Sequence, residues 1–252
     1  MDGRWIPYCG EAPGPDAWLS RWNFDPVLGT GLVLLALALW RLSAARAATP
    51  RQLRCLRCGW TLTGLLYVSP LCALSSAFFT VRVIHHIALV LAIAPLVAIG
   101  LERWLRCLPT PLWACTAIAS VTFWTWHAPA PYAAALSSVA LYALMQLTLL
   151  ASATAFWVAV RRSGAVAATG AILATTVLMG LLGALITFAA RPLYAPHFAS
   201  TLSWGVSPLQ DQQLAGIVMW APGSMAYLAA AMWIGWRWMR AERARGLRAE
   251  PA

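Results

Sequence analysis

The chain has 252 residues, 61% of them hydrophobic and only 10% charged, with a mean hydropathy of +0.68. A soluble domain of this length carries about a quarter charged residues, so the deficit argues against a soluble fold and for a polytopic membrane protein. The net charge of +10 does not imply nucleic acid as a partner. The basic residues lie in short bursts between apolar stretches, and no polar basic face is available to follow phosphates.

In chain order, residues 1–25 contain Pro, Gly and acids and no continuous apolar core. They read as an extracytoplasmic amino-terminal tail, not a cleavable signal peptide. Residues 26–236 are expected to form a transmembrane domain of about seven helices. The apolar segments lie near 26–43, 56–76, 79–100, 112–131, 136–160, 165–190 and 212–236. About 20 residues at ~1.5 Å each are enough to cross a ~30 Å hydrocarbon core. The spans should be helical because a backbone in lipid must satisfy its own hydrogen bonds. Residues 237–252 form an Arg-rich tail. The expected fold class is therefore an all-α polytopic bundle.

The arginines orient that bundle. Arg41, Arg46, Arg51, Arg54 and Arg57 separate spans one and two, Arg103 and Arg106 follow span three, and Arg161 and Arg162 follow span five. Five more lie from Arg237 to Arg248, so 14 of the 18 fall on one side under strict alternation. The positive-inside rule then puts the amino terminus outside and the carboxyl terminus in the cytoplasm.

This topology gathers polar residues at one depth. In VRVIHHIALV, His85 and His86 enter from the outer face, with His86 roughly 10 Å down. WTWHAPAPY sets His127 at a similar depth, Tyr142 is about 9 Å down with Gln146 one turn deeper, and Met219 is again roughly 10 Å deep. His197 and Asp211 belong to the loop before the last span. Ionisable groups within spans usually face the bundle interior and mark a site. Imidazole and thioether suit copper, so His86, His127, Met219 and His85 are the candidate metal ligands. Equally, each histidine can bond a neighbouring helix, and Arg82 can snorkel to the headgroups with no ligand role. Haem between His86 and His127 is a further alternative.

Other motifs say less. Cys55 and Cys58 form a CxxC in RCLRCGW, a weak metal or redox candidate with no second pair to complete a zinc site. The spacing of the remaining cysteines implies no disulfide framework. Pro95 and Pro222 predict kinks in spans three and seven. No nucleophile elbow, phosphate loop or paired carboxylate is present, so no enzymatic activity is expected.

Several stretches resemble one family, the bacterial seven-span caa3-type cytochrome c oxidase assembly factors often called CtaG. The similar segments are WNFDPVL, VSPLCALSSAFFTVRVIHHIALVLAIAPLVAIG, WHAPAPYAAAL and SPLQDQQLAGIVMWAPGSMAYL. The resemblance implies a multi-pass protein of the bacterial plasma membrane, surrounded by lipid, that helps mature a haem–copper oxidase and so has oxidase subunits as partners. It further implies help in delivering copper on the extracytoplasmic side. His86, His127, Asp211, Gln212 and Met219 occupy the family's motif positions. The chain departs from the pattern at Arg82 and Val83, where the family commonly has His-Met, and at Tyr142 and Gln146, where it commonly has two histidines. His85 stands where Gln is common. These departures weigh towards a metal-free scaffold for oxidase assembly as the alternative.

Overall fold

The computed structural model describes residue 5 and residues 7–249. The helix starts are written in the sequence. Proline opens α1 (Pro26–Ala44), α2 (Pro50–Val68) and α3 (Pro70–Ala77), where its missing N–H is not needed. The residue before each, Asp25, Thr49 or Ser69, accepts a backbone N–H of the first turn. Thr49 and Gln52 close a reciprocal capping box.

From there the chain runs through α4 (Phe79–Ala88), a π turn (Leu89–Ile93) and α5 (Ala94–Gly100) as one rod. It continues with α6 (Leu112–His127), α7 (Pro129–Leu136), α8 (Val139–Arg162) and α9 (Ala165–Thr187). After a loop come α10 (Pro208–Val218), a second π turn (Met219–Gly223) and α11 (Ser224–Ala249). No strand occurs among the described residues, so the fold is all-helical.

Among the described residues, five helical segments are long and apolar enough to cross a membrane: Pro26–Ala44, Phe79–Gly100, Val139–Arg162, Ala165–Thr187 and Pro208–Arg245. The bent pair α2 and α3 is a sixth if it counts as one span. The second expected span is thus not straight. Ser69 is extended and Pro70 cannot continue the hydrogen-bond ladder, so the two helices meet at 54°. The fourth expected span, 112–131, is cut at Ala128 and Pro129, leaving α6 with only 16 residues. At ~1.5 Å per residue that is about 24 Å, short of a full hydrocarbon core. The prolines expected to kink spans three and seven each lie at a π turn: Pro95 just after the first, Pro222 within the second. A proline removes one backbone donor, and widening the turn takes up the misfit. At the far end α11 runs unbroken past residue 237, so what is described of the Arg-rich tail continues the last helix.

α1 has no buried residue and is apolar all round, as expected of a helix facing lipid. α4 is the opposite. Phe79, Thr80, Arg82, Val83, His85 and His86 are all buried in the bundle. α9 and α10 touch backbone to backbone: a Cβ added at Gly216 would lie 2.6 Å from the Gly183 carbonyl oxygen. Only glycine permits that approach. It holds the start of the last span against α9 and so sets where α10 meets α4.

Candidate functional site

The site is built around α4, and its first anchor comes from another helix. Phe78 precedes α4 and offers no side-chain cap. Asp211 of α10 replaces it, accepting from the Phe79 N–H at 2.7 Å and the Thr80 N–H at 3.1 Å, while the Thr80 hydroxyl donates to the Asp211 carbonyl at 2.8 Å. A carboxylate at a helix amino terminus satisfies orphan donors and complements the helix dipole. Asp211 therefore lies inside the first turn of α10, not in the preceding loop. Gln212 faces the other way. It accepts from the Leu193 N–H at 2.6 Å and donates to the Ile186 and Arg191 carbonyls, tying the loop after α9 to α10.

Below this cap runs a buried hydrogen-bonded chain whose direction can be deduced. The Phe123 carbonyl can only accept, so His127 donates to it from Nδ1 at 2.7 Å. The neutral ring then has an acceptor at Nε2, which takes the proton of His86 Nδ1 at 3.2 Å. His86 Nε2 in turn accepts from the Gln146 amide nitrogen at 3.4 Å, and Tyr67 donates to the Gln146 carbonyl at 2.7 Å. Four helices, α2, α4, α6 and α8, are joined by one chain running from Tyr67 to Phe123. The His86 and His127 rings meet edge to face with centroids 5.0 Å apart, leaving no slot between them for a porphyrin.

Arg82 does not reach the headgroups. It is 0% exposed, because α4 is wrapped by its neighbours and its guanidinium points inward. One terminal nitrogen donates to the Tyr142 hydroxyl at 2.8 Å, and the cation lies 5.1 Å from that ring's centroid. Among the described residues, Nε and the other terminal nitrogen have no partner. His85, one turn on, sits edge-on to Tyr67 at 5.0 Å, and its Nε2 is unpaired among the described residues. Met219 is fully buried in the second π turn, which packs on α9 and α4. Cys55 and Cys58 lie on α2, with Cys58 exposed and neither joined to the polar core. Among the described residues no three His, Cys, Asp or Glu side chains are grouped so as to hold a metal ion.

Three contributions were not foreseen. Cys9 and Cys72 form a disulfide across 63 residues of sequence, correcting the expectation of no such bond. The spacing could not signal it, since the pairing depends on the amino-terminal segment folding back over α3. There Tyr8 stacks on Tyr142 at 5.2 Å, and Asn23 donates to the Tyr67 carbonyl at 3.1 Å. Tyr194 donates to the His127 carbonyl at 2.7 Å and stacks on Phe79 at 3.6 Å. Tyr132 donates to His197 Nε2 at 2.6 Å while His197 Nδ1 donates to the Ala77 carbonyl at 3.3 Å. Burial, with the Arg82 charge as a lesser cause, pushes the His197 imidazole down to about 3, so it is neutral in this role.

The family model for the cytochrome c oxidase caa3 assembly factor (Caa3_CtaG) matches residues 33–241. No curated protein and no solved structure matches the chain. With most of its length matched, the chain belongs to the caa3 cytochrome c oxidase assembly factor family.

Proposed function

We propose that this member of the caa3 assembly factor family helps build the copper centre of a haem–copper oxidase, passing Cu(I) as cargo between His86 and His127. The observation that carries the reading is the 3.2 Å separation of His86 Nδ1 and His127 Nε2 in a fully buried setting. Metal–imidazole bonds of about 2 Å put two ligating nitrogens of one ion within that range. His127 already bonds a backbone carbonyl through its other nitrogen, the usual support of a ligating histidine. His86 need only move its proton to Nε2, where the Gln146 amide, once rotated, accepts it. Both lone pairs then face the ion. The gathering of arginines at the opposite end supports placing the histidines on the extracytoplasmic side.

A metal-free reading is favoured by Arg82. A guanidinium keeps its charge, and a cation buried on the same helix as His86 repels a second one in a low-dielectric interior. On that reading the chain of polar side chains stitches four helices into a platform for the oxidase subunits. Buried interhelical hydrogen bonds in membranes average about 0.6 kcal/mol each, so such a platform needs several together.

The deciding experiment titrates Cu(I) into detergent-purified full-length protein against a competing chelator. The copper reading expects binding to the wild type and its loss in His86→Ala with His127→Ala. A wild type that leaves all copper on the chelator sinks it and leaves the platform. The copper content of oxidase from cells lacking the protein gives an independent readout.

A further inference from the structure

At the end of the bundle opposite the histidines, a groove of about 560 Å³ opens between α5, α8, α9 and α11, with the first turn of α2 beside it. Its inner wall is apolar, built from residues such as Ile99, Trp157 and Ile234. Its lining also includes Arg51, Arg161 and Arg237 from three different helices, and no acidic residue. Arg161 shares its charge with Glu102 at 2.7 Å; Glu102 itself stands outside the lining. Two exposed tryptophans of α11, Trp233 and Trp238, extend the apolar wall outwards, and tryptophan favours the membrane–water boundary.

We infer that this groove binds an anionic phospholipid, its phosphodiester among the three arginines and its acyl chains along the apolar wall. Guanidinium forks match phosphate oxygens bidentately, and basic pockets between spans are where acidic headgroups dock. A zwitterionic lipid is disfavoured because its ammonium would meet three cations and no carboxylate of the lining. A free phosphate would leave the apolar wall uncovered. The bound lipid fills the gap between α8 and α11, so it joins helices that contact one another poorly at this end. This site is independent of copper and of the histidines.

The test uses native mass spectrometry of the full-length protein in detergent, with phosphatidylglycerol or phosphatidylcholine added in turn. One phosphatidylglycerol is expected to be retained, with affinity at least about tenfold above phosphatidylcholine. Replacing Arg51→Gln, Arg161→Gln and Arg237→Gln together should abolish that preference. A control of equal charge, Arg54→Gln, Arg57→Gln and Arg106→Gln, should keep it. Equal retention of the two lipids by the wild type overturns the inference, and so does equal loss in both triple variants. If the first triple does not fold, Arg237→Gln alone, on an exposed stretch of α11, is read against Arg54→Gln in the same way.

Discussion

The end of the bundle that holds the histidines hides its polar atoms, whereas the end that holds most of the arginines displays them. At the first, Arg82, His85, His86, His127, His197 and Asp211 are each no more than 2% exposed. Arg82, His86 and Asp211 each bond a group on another helix, and His127 bonds both His86 and the Phe123 carbonyl of its own helix. At the second, Arg103 reaches the Ala47 carbonyl, Arg161 reaches Glu102, and Arg162 reaches the Leu105 and Leu108 carbonyls, all at exposed positions. Both ends are rich in polar groups, so polarity alone does not mark the site. Burial does, because an unmet donor away from water loses its full solvation while an exposed one falls back on solvent.

That contrast sets the order of expected effects. The largest belongs to the Cys9–Cys72 bond, which closes a loop of 63 residues over the histidine end. Chain entropy alone assigns it about 4 kcal/mol. Cys9→Ser with Cys72→Ser should therefore melt well below the oxidised wild type in detergent, and reductant should lower the wild type alone. A double variant that melts with the wild type would mean the cover is held by its other contacts.

Next is Tyr142→Phe, which removes the hydrogen-bond partner of a buried cation. The expected loss is about 3 kcal/mol, whereas Arg82→Met, which removes the charge itself, should be close to neutral. If both are equally damaging, the bond between them is not what stabilises this region. Asp211→Ala follows at about 2 kcal/mol, since two amides at the start of α4 lose their acceptor. Faster hydrogen exchange confined to Phe79, Thr80 and their neighbours is its signature.

The smallest effect sharpens the comparison from the other side. Glu102→Gln breaks the Arg161 ion pair, whose partners are 29% and 44% exposed. It should shift stability by less than about 1 kcal/mol, and salt should erase the difference. A loss as large as that of Asp211→Ala would end the distinction drawn between the two ends.

Much of the architecture was legible because membrane helices announce themselves by local composition. The apolar runs, proline starts and Ser, Thr or Asp caps are properties of neighbouring residues. The breaks at Ser69 and Ala128 were less legible, because Pro70 and Pro129 lie in runs that otherwise read as continuous spans. For the site, the similar depth of His86 and His127 was readable from helix rise, and the two do meet. The snorkelling open to Arg82 does not occur, because depth along a helix says nothing about which way a side chain points. Tyr67, Tyr132 and Tyr194 carried no signal, being ordinary aromatics until their hydroxyls found partners on distant helices.

An all-helical membrane fold is encoded locally, since hydropathy and capping act over one or a few turns. The sequence also carries the family, because the matched residues run through most of the chain. No local pattern encodes that His127 bonds His86, that Asp211 caps a helix 131 residues away, or that Cys9 reaches Cys72. Each of these is a contact between distant segments. It depends on the rotation of every helix about its axis, and that rotation is set by packing of the whole bundle.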